Sequence, residues 1–261
     1  MRLGHRGYGR RVQHVTVKTE GRVVRIRLDR SERGNALTSE MLRGLAAACG
    51  EIAASPADVV VLDAEGSAFS VGFDLDEIAE GRTADGARSG AAAVEALLDL
   101  GAVTVAALKG WVVGGGAALA AACDLRVGDP TVLVRIPEVP LGIPLGWGAM
   151  PLLVAELGPS LAKDLVMTGR DMPATEAHLR GFLTRLAPEG GLGEAVESLV
   201  ARLLAVPVGP LRTTKIQANA AAAVARTGEV DAERLLDAVE SPEFAPVFSR
   251  YLARVRSRRG K

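Results

Sequence analysis

Two short, uninterrupted apolar segments, each followed by a glycine-containing turn, constrain the fold of this chain more than any other feature. Val59–Leu62 and Val103–Leu108 contain no charged side chain, which is typical of strands buried on both faces of a parallel sheet. The turns that follow them are Ala68–Leu75 and Gly114–Gly116. Parallel strands need long crossover connections, which are usually helices. The sequence therefore predicts an α/β fold class.

The segments around these strands carry further strand and helix patterns. Val12–Thr19 and Val23–Asp29 predict a hairpin that turns at Gly21. A helix follows, and either Thr38 or Ser39 can cap its first turn. The other elements predicted in this part of the chain are a turn at Gly110–Gly116, a helix at Ala117–Ala122, and strands at Leu125–Val127 and Val132–Ile136.

After about Pro151 the pattern is helical throughout. Pro207 and Pro210 indicate a boundary within this region. The predicted helices are Ser160–Thr168, Ala174–Arg180, Gly193–Leu204, Pro210–Ala225, Val230–Val239 and Pro246–Arg256. The predicted parts of the chain are a basic N-terminal tail at residues 1–11, an α/β core at 12–206 and a helical C-terminal region at 207–261.

One segment inside the core has a composition that differs from its surroundings. Glu80–Ala93 is small, polar and rich in glycine and alanine. Such a composition favours a mobile loop, and we predict that this segment covers a site as a lid.

Charge balance and cysteine content exclude several classes of protein. The chain has 31 Lys and Arg against 31 Asp and Glu, so we expect no nucleic-acid partner. Its uncharged runs are too short or too rich in proline for a membrane helix of ~20 residues, so we expect no membrane partner.

Cys49 and Cys123 lie far apart, which predicts two buried free thiols. The N-terminus lacks a secretory signal, so the expected location is the cytoplasm.

Several common catalytic motifs do not occur in the sequence. There is no G-x-x-x-x-G-K-[ST] phosphate loop, no G-x-G-x-x-G turn after a strand and no G-x-S-x-G nucleophile elbow. His5, His14 and His178 show no metal-ligand spacing. We therefore expect neither a metal site nor a histidine-based catalytic triad.

The two glycine-containing turns can carry chemistry of their own. Each turn follows a buried strand and exposes backbone N–H groups, and Gly114–Gly116 also begins a helix, whose first N–H groups are unpaired. Two such turns that converge could stabilise a developing oxyanion, as acyl chemistry requires. The alternative is that the glycines only make tight connections between strands and helices.

Glu138 is the only charged residue in the apolar stretch Ile136–Ala155. A carboxyl group in apolar surroundings tends to have a raised pKa, which suits proton transfer near neutral pH. The alternative is a glutamate at the edge of the core that stays hydrated or ion-paired.

Five segments, taken in order, resemble the enoyl-CoA hydratase/isomerase superfamily, also called the crotonase family. Ser31 and Lys109 depart from the usual residues of its motifs, which have Pro and Asn at those positions. The segments are Leu28–Leu37 (L-D-R-S-E-R-G-N-A-L), Phe69–Leu75 (F-S-V-G-F-D-L), Lys109–Gly116 (K-G-W-V-V-G-G-G) with Cys123-Asp124, Pro137-Glu138 with Leu141-Gly142, and Thr168–Arg170 with Ala174–Gly181.

The resemblance implies a crotonase fold, which is a spiral of β-β-α repeats with a helical C-terminal region used in trimer assembly. It implies a homotrimer or a dimer of trimers. It also implies acyl-CoA thioester substrates, with coenzyme A as part of the substrate and no separate cofactor.

The resemblance also implies a set of site residues. The backbone N–H groups of Phe73 and Gly115 match the donors that hold the thioester oxygen, and Glu138 matches a catalytic glutamate. The implied substrate-binding residues are Arg33, Ala36, Val71, Gly72, Asp74, Gly114, Gly116, Ala118, Pro137 and Leu141.

Departures from the family pattern bear on the reaction. Hydratase members usually carry a second glutamate where this chain has Ala118, and a single glutamate suits isomerisation of 3-enoyl-CoA to 2-enoyl-CoA. The alternatives are a hydratase or related lyase or hydrolase, and a non-catalytic acyl-CoA binding protein.

The positively charged residues that bind the coenzyme phosphates in other family members are also partly missing from this chain. Arg33 is a candidate by position, but Asp76 and Tyr251 stand where other members place lysines. The segment Arg254–Lys261 could supply cations across a subunit boundary, or form a solvated, frayed tail.

Overall fold

The computed structural model describes residues 9–222 and 228–259. Most of the predicted tail at 1–11 and the end of the predicted helix Pro210–Ala225 lie outside these ranges. Within them the strands are β1 Gly9–Val12, β2 Val15–Glu20, β3 Val23–Leu28, β4 Val59–Ala64, β5 Val103–Leu108, β6 Trp111–Val113, β7 Leu125–Gly128, β8 Leu133–Arg135, β9 Asp171–Pro173 and β10 Arg185–Leu186.

The predicted helices occur in the described residues with several changes at their ends, but two further helices, at Leu75–Ala79 and Thr83–Leu98, were not predicted. They are α1 Ser39–Ala53, α2 Leu75–Ala79, α3 Thr83–Leu98, α4 Gly115–Ala121, α5 Ala149–Thr168, α6 Ala174–Leu179, α7 Leu192–Leu204, α8 Val208–Ala221, α9 Gly228–Glu240 and α10 Phe244–Arg259. Two short 3-10 turns occur at Ser31–Arg33 and Val139–Leu141.

The strands form two sheets. The larger sheet has the order β1-β2-β3-β4-β5-β7-β10, in which β1 to β3 are antiparallel and the remaining pairs are parallel. The smaller sheet has the order β6-β8-β9. The predicted hairpin is confirmed, with Gly21 at φ 64° in its turn. Thr38 is the residue that caps α1, because its Oγ1 accepts from Met41 N at 3.1 Å.

A repeating unit connects the two sheets. A strand of the larger sheet is followed by a short extended segment near the smaller sheet and then by a helix, as in β5-β6-α4 and β7-β8-α5. β4 follows the same course, because the segment after it pairs at Ser70 with Val112 of β6 before α2 and α3 begin. The α/β class and the expected β-β-α spiral are therefore confirmed.

The prediction that Glu80–Ala93 is a mobile lid is wrong, since Thr83–Ala93 belongs to the well-packed helix α3. Its small residues allow close contact rather than mobility. A β-carbon at Gly86 would overlap the Phe73 ring, and one at Gly90 would overlap the Trp147 indole. Packing of these rings on the helix compensates for the low helix propensity of glycine.

Two other predictions need correction. Gly110–Gly116 is not simply a turn, because Trp111–Val113 pairs with β8 as the strand β6. The chain after Pro151 is not helical throughout, because β9 joins the smaller sheet and β10 pairs with β7 in the larger one. Both strands are only two or three residues long, too short to produce an alternating pattern.

The helix predicted at Ser160–Thr168 begins earlier, at Ala149, as α5. Pro151 is accommodated in its first turn, where its missing N–H has no intrahelical acceptor to lose. Gly158 interrupts the helix with φ 74°. This helix packs on α4.

The core lies between the larger sheet and the helices α1, α3, α4 and α5. Cys49 and Cys123 are free and buried, as predicted. In the part of the chain that the structure describes, no helix combines the length and apolar character needed to cross a bilayer.

Candidate active site

Parallel pairing brings the two glycine-containing turns side by side. Ser70 N donates to Trp111 O at 3.0 Å, and Val113 N donates to Ser70 O at 2.9 Å. Gly72 adopts φ 93°, and a β-carbon there would lie 3.1 Å from Val113 O. Glycine at this position therefore allows the backbone of the first turn to lie directly against β6.

The backbone N–H groups of Phe73 and Gly115 are among the unpaired donors of these turns. Within residues 9–222 and 228–259, neither group donates to another protein atom. Gly115 is the first residue of α4, where no intrahelical acceptor exists for its N–H. Both residues line the same cavity. Two unpaired donors at one cavity can hold a negatively charged oxygen.

Glu138 lines that cavity together with the two donors. The residue as a whole is half-buried, but its Oε2 is fully buried and has no hydrogen-bond partner among the described residues. Burial raises the pKa of the Glu138 carboxyl from 4.5 to about 7. A carboxyl with this pKa can both accept and return a proton near neutral pH.

The turn before α4 is shaped to receive this carboxyl group. Gly114 adopts φ 48° and ψ −113°, a region that is essentially restricted to glycine. A β-carbon at Gly114 would overlap Glu138 Oε1. Gly116 allows an equally close approach on the other side, since a β-carbon there would lie 2.8 Å from Ser70 Cβ.

The inner cavity, as we name the space beside Glu138, is small and mostly apolar, with a volume of about 50 Å³. Among the described residues of its wall, Glu138 is the only one with a carboxyl group. The lining residues are Phe73, Ile78, Thr83, Gly86, Ala87, Gly115, Ala118, Glu138, Ile143, Pro144, Leu145, Gly146, Trp147 and Leu235. Across the described residues, no cluster of three or more potential metal ligands occurs.

Ala118 is buried on α4 at the wall of the inner cavity. Its methyl group can neither position a water molecule nor transfer a proton. The only other polar side chains on this wall are the Thr83 hydroxyl and the Trp147 indole. The cavity therefore contains one group, Glu138, that can act as an acid or a base.

Trp147 is a major wall residue that the sequence analysis missed. It is buried with φ 61°, and its indole lies edge-on to the Phe73 ring at 5.9 Å between centroids. A β-carbon at Gly115 would overlap this indole. The sequence did offer a signal for this residue, since Trp147 is one of only two tryptophans in the chain and lies between two glycines.

The C-terminal region completes the cavity within the same chain. Leu235 of α9 lines the inner cavity and is buried. Asp231, also on α9, accepts from Gly148 N at 3.0 Å and so holds the segment that carries Trp147. The helical region at 207–261 thus contributes directly to the site, in addition to the predicted role in assembly.

An outer channel of about 260 Å³ lies on the other side of Phe73. It contains four of the residues predicted to bind substrate, and Phe73 lines both this channel and the inner cavity. The residues that line it are Arg33, Ala36, Val71, Phe73, Asp74, Leu75, Asp76, Trp111, Val113, Arg135, Tyr251, Leu252, Val255 and Arg256.

Two predicted residues of the outer channel are engaged in ion pairs. Arg33 contacts Asp76 directly and has a second carboxylate, Asp74 Oδ1, at 3.8 Å. Asp74 is buried, pairs with Arg30 at 2.6 Å and accepts from Asp76 N at the start of α2. Burial alone would raise the pKa of Asp74, but these hydrogen bonds outweigh it and hold the pKa below its usual value. Asp74 therefore has a structural role at this position.

The remaining predicted residues shape the backbone rather than either wall. Gly72, Gly114 and Gly116 allow the close contacts described above, and Pro137 is buried directly before Glu138. Leu141 is buried in the 3-10 turn after Glu138 and packs among residues of α9 and α10.

Two larger hollows lie elsewhere on the described surface, with volumes of about 580 and 800 Å³. Both are lined by ion pairs, such as Lys215 with Asp124 at 2.8 Å and Arg27 with Asp63 at 2.8 Å. Among the described residues, neither hollow is lined by a buried carboxyl oxygen without a partner, as the inner cavity is by Glu138, so we assign the site to the smaller space.

Comparison with known proteins identifies the class that this fold and site define. The enoyl-CoA hydratase/isomerase family profile matches residues 18–240. The chain belongs to the enoyl-CoA hydratase/isomerase family and is an enzyme of that family with the crotonase fold.

Individual relatives agree with this assignment. The chain is 33% identical over 194 residues to the cyclohexa-1,5-dienecarbonyl-CoA hydratase of Thauera aromatica, covering 73% of this chain and 74% of that protein. It is 26% identical over 243 residues to the short-chain-enoyl-CoA hydratase of Clostridium acetobutylicum, covering 91% and 90%. The crystal structure of an enoyl-CoA hydratase/isomerase from Xanthobacter autotrophicus Py2 matches with a TM-score of 0.82 at 28% identity, covering 92% of this chain and 93% of that one.

Proposed function

We propose that this enzyme isomerises 3-enoyl-CoA thioesters to 2-enoyl-CoA thioesters with Glu138 as its only acid–base group. The observation that carries the proposal is one buried carboxyl group, with a pKa raised by burial, on a cavity also lined by Phe73 and Gly115, two residues whose backbone N–H groups are unpaired.

The two N–H groups act on the thioester oxygen. Removal of a proton from C2 of a 3-enoyl thioester places negative charge on that oxygen. Hydrogen bonds from Phe73 N–H and Gly115 N–H stabilise this charge, and they strengthen as it develops. Since both donors belong to the backbone, the Phe73 side chain takes no part in this function.

Glu138 moves the proton. Its carboxylate accepts the C2 proton, which leaves a dienolate spread over the thioester oxygen, C2 and C4. The neutral carboxyl then returns a proton to C4, and the double bond is left between C2 and C3. No water molecule is consumed, so one carboxyl group suffices for the complete reaction.

The outer channel supports binding of the coenzyme portion. Arg33, Arg135 and Arg256 line it, and phosphate groups are recognised by such guanidinium groups. Arg33 is paired with Asp76 and Arg135 with Asp171, so a phosphate at either must share the guanidinium with a carboxylate. Arg135 lies 5.1 Å from the centroid of the Trp111 ring. Arg256 is on α10, which continues through Arg259, so this part of the segment from Arg254 is helical rather than frayed, and its Arg256 side chain is exposed to solvent.

Hydration of 2-enoyl-CoA is the second candidate, and the names of the relatives favour it, since two of them are described as hydratases. Adding water to a double bond requires groups that position the water and deliver a proton. Ala118 cannot do either, which is why we place isomerisation first.

Assembly as a homotrimer or a dimer of trimers stays a prediction. It is supported by α8, which has no buried residue and exposes Ile216 to 68% of its possible area. A face of this kind is typical of helices that are covered in an oligomer.

A turnover screen tests the proposed function. Wild-type protein and Glu138→Ala are incubated with 3-enoyl-, 2-enoyl- and 3-hydroxyacyl-CoA esters, and the products are separated by chromatography. We expect conversion of the 3-enoyl ester by wild type only. Hydration of the 2-enoyl ester at a comparable rate would favour the second candidate.

The pH dependence of kcat/KM is expected to follow the ionisation of Glu138. The base must be ionised, so activity should rise with pH and level off above about 7, with a tenfold fall per pH unit below that value. Initial rates between pH 5 and 9 check this. A midpoint near 4.5, the ordinary value for glutamate, would show that the carboxyl group is not desolvated in the working enzyme.

Phe73→Ala is expected to change the preference for acyl chain length. The ring separates the inner cavity from the outer channel, so its removal joins the two spaces. We expect kcat/KM for ten-carbon esters to rise at least about tenfold relative to four-carbon esters, since a few methylenes in an apolar pocket account for such a ratio. Phe73→Leu, which keeps most of the bulk, is the matched control, and an unchanged preference in Phe73→Ala would refute the separating role.

A further inference from the structure

Four buried side-chain polar atoms in the described residues lack a hydrogen-bond partner, and two of them belong to residues that line the inner cavity. The other two are the Nε atoms of Arg33 and Arg212, whose guanidinium groups are already paired through other nitrogens. The two at the cavity are Glu138 Oε2, which the mechanism uses, and Thr83 Oγ1, which it does not. Thr83 therefore has a buried hydroxyl group with no function in the reaction described above.

Thr83 lies on the face of α3 that forms part of the cavity wall. Thr83, Gly86, Ala87 and Gly90 follow the spacing of one helix face. Gly86 lies against the Phe73 ring and Gly90 against the Trp147 indole, so this face contacts both aromatic walls of the cavity. Thr83 is the only polar residue among these four and is 4% exposed.

The hydroxyl group is not used to cap the helix. Thr83 is the first residue of α3, and the residue before it, Arg82, makes no side-chain capping hydrogen bond. A hydroxyl at the first position could have turned to solvent or to the backbone, yet this one is buried without a partner. Buried polar groups in folded proteins nearly always have a hydrogen-bond partner. A partner atom on a bound ligand would explain why the Thr83 hydroxyl is buried without one in the protein.

We propose that Thr83 is a specificity-determining residue that hydrogen-bonds a hydroxyl or keto oxygen on a short acyl chain. This inference rests on the proposed function for the identity of the thioester site. The inner cavity has room for roughly three to five water-sized groups, which restricts the acyl portion to a short chain. Its wall is otherwise apolar apart from Glu138 and the Trp147 indole, so the distal oxygen has few partners other than Thr83.

The chemistry of the wall also disfavours a negatively charged substituent. A second carboxylate on the acyl chain would lie in the same small cavity as Glu138, and two negative charges in apolar surroundings repel strongly. A neutral oxygen avoids this repulsion, and a threonine hydroxyl can donate to a keto oxygen or accept from a hydroxyl.

Binding of saturated acyl-CoA esters tests the inference without any turnover. 4-Hydroxybutanoyl-CoA and pentanoyl-CoA have the same number of heavy atoms, as do 4-oxopentanoyl-CoA and 4-methylpentanoyl-CoA. Calorimetric titration of wild type with each pair should show the oxygen-containing ester binding about tenfold more tightly, the ratio that one good hydrogen bond provides. The first pair tests for a hydroxyl and the second for a keto oxygen.

Two variants of Thr83 separate the hydrogen bond from the shape of the side chain. Thr83→Val keeps the branched shape and should reduce the ratio to about one or below, while Thr83→Ser keeps the hydroxyl and should retain the preference. Thr83→Val should also raise the melting temperature of the free protein by about 2–4 °C, because a buried hydroxyl without a partner is removed. This second readout shows that the variant folds.

The outcomes distinguish this inference from the proposed function. A ratio that is the same in wild type and Thr83→Val, or no measurable binding of any of the four esters, overturns the role of Thr83. Thr83-dependent binding in a protein that fails to convert 3-enoyl-CoA supports the inference and overturns only the proposed reaction.

Discussion

Glu138→Gln is expected to lower kcat for 3-enoyl-CoA isomerisation by about 10³-fold, within the range of 10²–10⁴ that a positioned acid–base group contributes. Glutamine keeps the shape of the side chain but can neither accept the C2 proton nor return one to C4. Because the lining residues of the inner cavity include no other carboxyl group, no neighbour can replace it. Steady-state rates of the purified variant check this, and Glu189→Gln, at an exposed site, is the matched control.

Stability measurements show whether the inactive variant is folded. The pKa of Glu138 is about 7 in the folded protein against an ordinary 4.5, so the folded state binds more protons between these values. Wild-type stability therefore falls as the pH rises through this window, by roughly 3 kcal/mol in total. Glutamine cannot ionise, so the stability of the Glu138→Gln variant does not fall in this way as the pH rises. Urea unfolding at pH 5 and pH 8 should show Glu138→Gln gaining stability relative to wild type at the higher pH.

Gly114→Ala is expected to cause the second largest effect, a loss of at least about 10²-fold in kcat/KM. The added β-carbon would overlap Glu138 Oε1, so the carboxyl group must move, and a displacement of about 1 Å at a reacting group can cost this much. The backbone at φ 48° and ψ −113° also disfavours alanine, which should destabilise the fold by about 1–3 kcal/mol.

Gly21→Ala provides the matched control for Gly114→Ala. Gly21 also has a positive φ, 64°, but no atom lies within 4 Å of a β-carbon there. The control therefore carries backbone strain without displacing Glu138, and its activity per folded molecule should equal that of wild type. Near-normal activity of folded Gly114→Ala would mean that the close contact with Glu138 is unimportant.

The strands and turns of the core could be predicted because their signals are local. Val103–Leu108 coincides with β5, since an apolar run bounded by glycine is read from adjacent residues alone. The single charge at Glu138 in an apolar stretch indicated a buried carboxyl group, and the structure buries its Oε2. The roles of Glu138, Phe73 and Gly115 in the reaction stay predictions.

Other parts of the site depend on contacts between distant segments. The glycines of α3 suggested mobility, and only the rings of Phe73 and Trp147 packed on them explain the helix. Leu235 reaches the inner cavity from α9, a helix far along the chain whose local pattern gives no indication of this contact. Thr83 was missed for the same reason, because its significance lies in a burial that tertiary packing creates.

Proton NMR of 3-butenoyl-CoA in D₂O tests the central claim most directly, because it reports the fate of each carbon-bound hydrogen. We predict that wild type converts the ester to the 2-enoyl isomer, with no 3-hydroxyacyl product, and that Glu138→Gln leaves it unchanged. Accumulation of the 3-hydroxy ester in place of the isomer, or equal conversion by wild type and Glu138→Gln, would contradict the account.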